Sequence, residues 1–507
     1  SSTGFQMASK SVPTLAMSNC SLGLDRPKLK PTLIPDELQA SVLEEIFKHL
    51  RVLDLLQVRS TCRHWKKTVD GCPELMEKVS IKFPENLVYD RNYQPGALVP
   101  AKNASFTKSR ISSVDSWWPS VGHRIVHLAV KDCQMSFAML VKILRHTPEL
   151  KSLDYLCSSY PAVVTNFENL KLKKLENLAI NVPNEKILDV VIELRKLLPN
   201  LKSLKVLKKL NIEELVKSQN YIKDILEEIH LNSIGTLEKL RQFNRLKYLV
   251  IHEIVTNEIL CRIADTFPEL RSIAVYAEKN ITLKPTFLNK MKKLQNLTIQ
   301  GEALTKIGFL QEIGYYPASA KIDFGECNSH HLRQICLKGI VPKPFTLQHY
   351  LKNSANVRVL TFNACRFESW TEIFTLAKNL AFLEQLELNS INVKKQDYNL
   401  CGYFDDLKIL KISYCKLPET LLTTFFCLCP QLEEIYLVWV VGVTDLVIKK
   451  MIKSTTKLRK LTLSQCAITD TAVECIANSD LLLKNVFIQS SKVSVSALDK
   501  LKSNKNK

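Results

Sequence analysis

Residues 458–476 read L-R-K-L-T-L-S-Q-C-A-I-T-D-T-A-V-E-C-I, and this stretch decides the fold. Leu461 and Leu463 flank a threonine, which is the two-residue period of a strand with one buried face. Asp470 then precedes a short helix whose apolar residues recur three positions apart on one side. One strand and one helix cannot bury these apolar faces alone, so the unit requires similar units above and below it.

The pattern recurs along the chain at intervals of roughly 25 residues, within the roughly 20 to 29 expected of such repeats. Its first apolar position is found at Ile125, Leu150, Leu175, Leu201, Leu226, Leu246, Leu270, Leu294, Leu332, Val357, Leu383, Leu407, Leu432, Leu458 and Leu483. Cysteine occupies the ninth position at Cys133, Cys365, Cys415 and Cys466. The pattern resembles the cysteine-containing leucine-rich repeat, which implies an α/β fold: a curved solenoid of about 15 repeats with a parallel concave sheet and convex helices.

One interval is longer than its neighbours. About 38 residues separate Leu294 from Leu332, so residues 301–331 contain either an inserted loop or a degenerate repeat. The sequence leaves both interpretations open.

A different pattern precedes the repeats. Pro35 is predicted to open a helix with apolar residues spaced by four up to Leu50, and a second helix is predicted between Asp54 and Gly71. So short a segment cannot usually bury all its large apolar side chains by itself. They must contact either the first repeats or another protein.

This segment resembles an F-box in three stretches: I-P-D-E-L at 34–38, V-L-E-E-I-F-K-H-L at 42–50 and D-L-L-Q-V-R-S-T-C-R-H-W-K at 54–66. The resemblance implies docking on the Skp-family adaptor of an SCF-type ubiquitin ligase and, through it, on a cullin-RING ligase. The adaptor-binding residues it implies are Ile34, Pro35, Leu38, Leu43, Ile46, Phe47, Leu50, Leu55, Val58, Cys62 and Trp65. The basic residues expected around this apolar contact are Arg59, Arg63, Lys66 and Lys67.

The predicted organisation has five segments. They are a disordered lead-in at 1–30, a small helical F-box at 31–75, a connector and N-terminal cap at 76–122, leucine-rich repeats at 123–490, and a C-terminal end with a basic tail at 491–507. Trp117 and Trp118 are expected to pack within the cap.

The repeat register also predicts a binding surface. The third, fifth and seventh positions of each repeat should face outward on the sheet, whereas the fourth and sixth face the core. The predicted substrate-binding residues are Tyr248, Tyr276, Tyr436 and Phe487 on the sheet and Trp439 at its rim. Aromatic side chains on a rigid surface are typical binding hot spots. If the register is misjudged, some of these residues belong to the core instead.

No signature of catalysis accompanies the repeats. The sequence has no phosphate-binding glycine loop, no H-E-x-x-H and no G-x-S-x-G, and it contains only 13 glycines. Cys427 with Cys429, and His330 with His331, lack the second ligand pair of a structural zinc site. We therefore expect a non-catalytic protein with no cofactor and no bound metal.

Composition limits the cellular setting and the partners. No apolar run is long enough to cross a bilayer, and the 15 cysteines, many at apolar repeat positions, indicate buried thiols in the cytoplasm or nucleus. Together these features predict the substrate-recognition subunit of an SCF-type ubiquitin ligase, whose repeats bind an unknown protein substrate. The alternative is an interaction scaffold outside a ligase that uses the net charge of +20 to bind acidic protein or nucleic acid, although no concentrated basic face favours nucleic acid.

Overall fold

The computed structural model describes residues 40–50, 52–96, 99–156, 170, 172–181, 188, 191–192, 195, 198–235, 237–301, 320–400 and 402–505. The chain divides into two compact units, Ser1–Ser203 and Leu204–Lys507. Each unit is a stack of parallel strands connected by loops and helices, so the predicted α/β repeat fold is confirmed.

The first unit begins with four short helices. They are α1 (Ala40–Lys48), α2 (Val52–Thr61), α3 (Arg63–Gly71) and α4 (Pro73–Glu77). Proline at the first turn of α4 suits a helix start, because its missing N–H would have no helical partner there. The described residues thus divide the predicted second helix, 54–71, into α2 and α3, separated by Cys62.

The strands of the first unit start earlier than the sequence predicts. They are β1 (Ser80–Lys82), β2 (Val88–Tyr89), β3 (Asn103–Thr107), β4 (Arg110–Ile111), β5 (His127–Lys131), β6 (Ser152–Leu156) and β7 (Asn177–Asn181), with helices α5 (Trp118–Gly122) and α6 (Phe137–Arg145). β1 pairs with β3, and β3 pairs with β5, both in parallel. The segment predicted as a connector therefore already contains strands of the repeat sheet.

The second unit continues the same alternation. Its strands are β8 (Ser203–Leu210), β9 (Leu226–Leu231), β10 (Tyr248–Val255), β11 (Ser272–Ala277), β12 (Thr282–Leu283), β13 (Asn296–Gly301), β14 (Ala320–Ile322), β15 (Gln334–Lys338), β16 (Ile340–Pro342), β17 (Val359–Asn363), β18 (Arg366–Ser369), β19 (Gln385–Asn389), β20 (Asn392–Lys395), β21 (Ile409–Ser413), β22 (Glu434–Val438), β23 (Lys460–Ser464) and β24 (Asn485–Gln489). Its α-helices are α7 (Ile212–Lys217), α8 (Gln219–Ile222), α9 (Asn257–Thr266), α10 (Pro344–Lys352), α11 (Trp370–Lys378), α12 (Glu419–Cys427), α13 (Asp445–Ser454), α14 (Asp470–Ala477) and α15 (Val495–Lys505), and 3₁₀ helices occupy Leu237–Leu240 and Thr286–Asn289.

Burial along the strands confirms the predicted register. In β23, Leu461 and Leu463 are buried, whereas the alternating residues Lys460, Thr462 and Ser464 are partly exposed. The same alternation holds in β19, β21 and β22. The third, fifth and seventh repeat positions therefore form the solvent-facing surface of the sheet, which we call the strand face.

The eighth position of many repeats has a left-handed backbone conformation. The residues with positive φ there are Lys108, Asp132, Gly339, Ala364, Ser390, Tyr414, Trp439 and Gln465. The conformation is uncommon for residues with a Cβ, and here it turns the chain out of each strand. It recurs because each repeat makes the same bend.

The ninth-position cysteines follow this bend and lie in the core. The thiol of Cys365 donates to the carbonyl oxygens of Leu337 at 3.2 Å and Asn363 at 3.5 Å, and Cys415 bonds the carbonyl of Ser413 at 3.2 Å. Burial raises the pKa of both thiols to about 12. Of the 15 cysteines, the twelve that the structure describes are free thiols, and eight of these are buried.

The long interval is one repeat enlarged by an insertion. β13 pairs directly with β15, so no extra strand lies between them in the main sheet. β14 pairs with β12 and β16, the short strands that follow β11 and β15 in the adjacent repeats, in a separate three-stranded sheet. Residues 302–319, between β13 and β14, lie outside the described residues.

The two adjacent tryptophans belong to the core of the first unit, as expected. Trp118 is fully buried, and its indole N–H donates to the carbonyl of Ile143 at 3.0 Å. Trp117 contacts Tyr93 and Phe83, with ring centroids 5.0 and 5.5 Å away. In the described part of the chain, no helix is both long and apolar enough to span a membrane.

Candidate functional site

The four N-terminal helices have their own apolar core. Its buried members are Leu43, Phe47, Leu55, Val69, Cys72, Leu75, Met76, Val79 and Ala101. Trp65 packs edge-on against Phe47, with ring centroids 5.5 Å apart. The core reaches Val79 and Ala101, so the helices pack partly on the start of the repeat sheet.

This burial corrects part of the predicted adaptor surface. Leu43 and Phe47 are only 3% exposed and Leu55 is completely buried, so they hold the helices together and offer no surface to a partner. Their helical spacing indicates an apolar face, but spacing alone cannot tell a core face from a docking face. Ile34, Pro35 and Leu38 lie outside the described residues.

An apolar surface nevertheless remains on α1. Val42 is 44% exposed and Ile46 is 50% exposed, and the two residues lie one helical turn apart on the same side. Val52, at the start of α2, is also exposed, and Val42 and Val52 were missing from the predicted set. Leu43 and Phe47 follow Val42 and Ile46 directly in the sequence, so only the burial in the structure separates the exposed pair from the buried pair.

The other predicted adaptor residues have mixed positions. Leu50, Val58 and Trp65 are partly buried against the helical core. Cys62 is exposed and is the N-cap of α3, where its sulfur accepts a hydrogen bond from the N–H of Trp65 at 3.4 Å. Each of these residues has both a packing role and some accessible surface.

The expected basic rim is smaller than predicted. Arg59 donates two hydrogen bonds to the carboxylate of Asp70, at 2.5 and 2.9 Å, and thereby ties α2 to α3. In a bidentate pair of this kind, the carboxylate occupies N–H donors that the guanidinium group would otherwise offer to a partner. Arg63, Lys66 and Lys67 are exposed on α3.

The predicted substrate residue Tyr436 belongs to a polar cluster on the strand face. Its hydroxyl donates to Glu434 at 3.0 Å, and Lys460 donates to the same carboxylate at 2.6 Å. Lys411 lies 5.7 Å from the ring centroid of Tyr436. Burial favours a higher pKa for Glu434, but the hydrogen bonds from Lys460 and Tyr436 outweigh it and lower the pKa. The ring is therefore held in place by its neighbours.

Trp439 is part of an exposed aromatic pair at the rim. Its ring stacks on Tyr414 of the preceding repeat with centroids 6.5 Å apart and planes inclined by 13°. Trp439 is 54% exposed and Tyr414 is 45% exposed, and Val441 beside them is also exposed. Tyr414 was not predicted as a site residue, although both aromatics occupy the eighth position of successive repeats and that shared position is a sequence signal.

The five predicted substrate residues do not form one site. Tyr248 and Tyr276 lie on the neighbouring strands β10 and β11. Tyr436 and Trp439 lie six strand steps further along the sheet, about 29 Å away at about 4.8 Å per step. Phe487 is exposed on β24, two strands beyond Tyr436 and in the same row across the sheet.

The structure offers little for metal chemistry. Within the described ranges, no three His, Cys, Asp or Glu side chains are arranged to hold a metal ion. Cys429 is buried, and burial raises the pKa of its thiol well above its usual value, whereas Cys427 is exposed. His330 bonds the hydroxyl of Ser354 at 3.2 Å.

Comparison with known proteins identifies the N-terminal segment. Residues 32–76 match the model of the F-box domain, in agreement with the resemblance seen in the sequence. The chain thus combines an F-box domain with an array of leucine-rich repeats. No curated protein sequence is significantly similar to this chain.

Solved structures match this chain only at low sequence identity. TLR13 in a complex with ssRNA13 has 16% identity and a TM-score of 0.37. The match covers 83% of this chain and 57% of the TLR13 chain. An internalin of Listeria monocytogenes has 14% identity and a TM-score of 0.29, over 76% of this chain and 86% of its own. The complex of Rad7 and Elc1 in yeast gives 16% identity and a TM-score of 0.35, over 84% of this chain and 88% of that chain. Similarity at this level carries no information about function.

Proposed function

We propose that this protein is the substrate-recognition subunit of an SCF-type ubiquitin ligase. The observation that carries the proposal is the F-box domain at residues 32–76, whose first described helix leaves Val42 and Ile46 half exposed. Exposed aliphatic side chains on a short helical domain are suited to burial against a partner protein. The partner that the family implies is a Skp-type adaptor bound to a cullin-RING ligase.

In this function the repeats capture a protein substrate. The rigid strand face carries Tyr436 within a network of hydrogen bonds, and the rim carries the stacked pair Tyr414 and Trp439. A pre-arranged aromatic surface loses little conformational entropy on binding. The protein performs no chemistry itself: it raises the effective concentration of a substrate lysine near the ubiquitin carrier. Free thiols at all twelve described cysteines support a reducing compartment, the cytoplasm or nucleus.

A pair of surface substitutions tests the docking step. Val42→Asp with Ile46→Asp places two charges on the exposed side of α1 and leaves the buried residues of that helix unchanged. We expect the full-length variant to lose co-purification with the adaptor while its circular dichroism spectrum and melting temperature stay close to those of the wild type. Burial of an unpaired carboxylate in an interface is strongly unfavourable, which explains the expected loss of adaptor binding.

Leu446→Asp is the matched control, because Leu446 is 47% exposed on helix α13, far along the chain from the F-box. This variant should retain the adaptor fully. If the double F-box variant is folded and still co-purifies with the adaptor at the wild-type level, the proposed function is wrong.

A further inference from the structure

The strand face is irregular at one place in the second unit. Among the described strand pairs of the main sheet, register shifts occur only between β8 and β9 and between β10 and β11. In β10 the extra residues fall between Val250 and Ile254, around His252. The repeat in between, from Leu226 to Leu246, is also the shortest of the predicted set. Bulges of this kind re-aim side chains and are common beside functional sites.

The irregular strands bring titratable and aromatic side chains together. We call this group the histidine recess: Lys205, Lys209, Glu228, His230, Tyr248, His252 and Tyr276. The ring of His252 lies between those of His230 and Tyr276, with centroids 5.9 and 5.6 Å away. The ammonium group of Lys205 lies 4.9 Å from the centroid of the Tyr248 ring.

His252 has unsatisfied hydrogen-bonding capacity. Both of its ring nitrogens are buried and have no hydrogen-bond partner among the residues that the structure describes. Desolvation, assisted by the charges of Lys209 and His230, lowers its pKa to about 4. The imidazole is therefore neutral near pH 7 and carries one N–H donor and one acceptor, both unused. The neutral ring therefore adds no positive charge to the recess at this pH.

The recess has more positive than negative charge. At another place on the strand face, Lys460 stands opposite Glu434 at 2.6 Å. In the recess, Glu228 alone faces both Lys205, at 3.8 Å, and His230, at 3.4 Å. The nearby Glu253 instead accepts a hydrogen bond from the N–H of Ile234 at 2.8 Å. Lys209 is exposed, so the recess has an excess of positive charge.

We propose that the histidine recess binds an anionic side chain, a carboxylate or a phosphate monoester, on the protein substrate that the repeats capture. Lys205 and Lys209 supply the charge, and the hydroxyl groups of Tyr248 and Tyr276 supply neutral donors. Neither tyrosine hydroxyl has a hydrogen-bond partner among the described residues. This inference rests on the proposed function, since it names the chemistry of the captured segment.

The recess suits a discrete anion better than a nucleic-acid backbone. A backbone would require a continuous row of basic residues, whereas the lysines Lys411 and Lys460 further along the strand face stand opposite glutamates. A single cationic recess with aromatic walls instead matches one charged side chain in an extended peptide. The experiment nevertheless includes single-stranded RNA as a competitor, so that binding of nucleic acid would be detected.

Three peptide pools test the proposal. The pools are identical except for a fixed central glutamate, phosphoserine or glutamine, with randomised neighbours, and they are applied to the immobilised full-length protein. We expect one or both anionic pools to be retained at least about tenfold better than the glutamine pool, as is typical when charge-assisted hydrogen bonds are formed. The pool that is retained identifies the anion as a carboxylate or a phosphate.

Two variants locate the effect. Lys205→Gln with Lys209→Gln should abolish the preference, whereas the matched pair Lys449→Gln with Lys450→Gln, two exposed lysines of α13, should keep it. Equal retention of the three pools, or a preference that survives in the Lys205 and Lys209 variant, overturns the proposal. Displacement of the anionic pool by single-stranded RNA, with affinity that falls steeply as salt rises, also overturns it.

A second measurement does not depend on variants. Separate titrations of ¹³C-histidine-labelled wild-type protein with inorganic phosphate and with acetate should shift the His252 resonance in the NMR spectrum in at least one series, with a smaller change at distant histidines such as His349. A His252 signal that is unchanged in both series contradicts the proposal. Adaptor co-purification is measured in parallel. If the adaptor co-purifies but the recess binds no anion, the recess proposal is wrong and the ligase function is retained. If the recess binds an anion but the adaptor does not co-purify, the ligase function is wrong and the recess proposal is retained.

Discussion

His252 makes a prediction at the scale of a single residue. Its pKa of about 4 lies below the ordinary value of 6.5, because burial and the nearby charges of Lys209 and His230 disfavour the protonated ring. In the unfolded chain His252 takes up its proton near pH 6.5, whereas in the folded chain it does so only near pH 4. The unfolded state therefore binds more protons in this window, and the free energy of unfolding falls as the pH is lowered from 6.5 to 4. Above this window the contribution is fully present.

The prediction is read from thermal melts of the wild type and of His252→Gln. Between about pH 7 and about pH 5, the melting temperature of the wild type should fall further than that of the variant, because glutamine does not titrate. The carboxylates titrate in both proteins and cancel in the comparison. Equal losses in the two proteins would mean that His252 is protonated normally in the folded state.

Single residues also show where the sequence is informative. The inward positions of β23, Leu461 and Leu463, were predicted correctly because a strand period of two assigns each residue to one face. Phe47 was assigned to the adaptor surface by the resemblance to an F-box, but the structure buries it, with its ring packed against Trp65. Which apolar residues of a short helix remain exposed depends on how the helices cross, and a repeat pattern does not contain that information.

The contrast between Phe47 and Ile46 gives a prediction at the scale of the element. Phe47 is 3% exposed and Ile46 is 50% exposed, although they are neighbours on α1. Truncation of a buried phenylalanine typically costs about 3–5 kcal/mol, whereas a half-exposed isoleucine costs much less. Phe47→Ala should therefore speed amide hydrogen exchange throughout α1 to α4 and leave β21 to β23 protected, and Ile46→Ala should leave both regions unchanged. Normal protection of α1 to α4 in Phe47→Ala would show that this residue is not part of the core.

The stacked pair at the rim of β21 and β22 gives a second prediction at this scale. Removal of an aromatic hot spot commonly costs about 2 kcal/mol or more of binding free energy. Tyr414→Ala with Trp439→Ala should therefore lower the amount of captured substrate at least about tenfold and spare the adaptor. Quantitative mass spectrometry of proteins that co-purify from proteasome-inhibited cells measures both.

Phe345→Ala provides the control for this experiment, because Phe345 is an 80% exposed aromatic residue on helix α10. Unchanged capture by the Tyr414 and Trp439 variant would exclude the rim as a substrate contact. Trp439 was included in the sequence prediction because it lies beside Tyr436 in the same repeat. Tyr414 was not, because stacking between eighth-position side chains of successive repeats was not considered.

At the scale of the whole molecule, the repeat period predicted the fold, and the exceptions to that period remained undecided. The 38-residue interval was ambiguous because spacing alone does not tell an insertion from an added strand, whereas the direct pairing of β13 with β15 does. The bulges of β8 and β10 leave the leucine spacing readable but change which side chains meet on the strand face. The recess around His252 could not be predicted for that reason.

The net charge of +20 bears on the alternative of a scaffold outside a ligase. Many lysines form ion pairs between successive repeats, such as Lys202 with Glu176 at 2.8 Å and Lys290 with Asp265 at 2.7 Å. Exposed pairs of this kind contribute little to stability, but they neutralise charge that would otherwise attract polyanions. The proposed ligase function therefore rests on the F-box domain and not on the net charge.

Adaptor docking is tested by calorimetric titration of the purified full-length protein with a purified Skp-family adaptor. We expect saturable one-to-one binding at about micromolar affinity or tighter, weakened at least about tenfold by Val42→Asp with Ile46→Asp and unchanged by Leu446→Asp. Absence of binding, or equal affinity in the wild type and the folded double variant, would contradict adaptor docking.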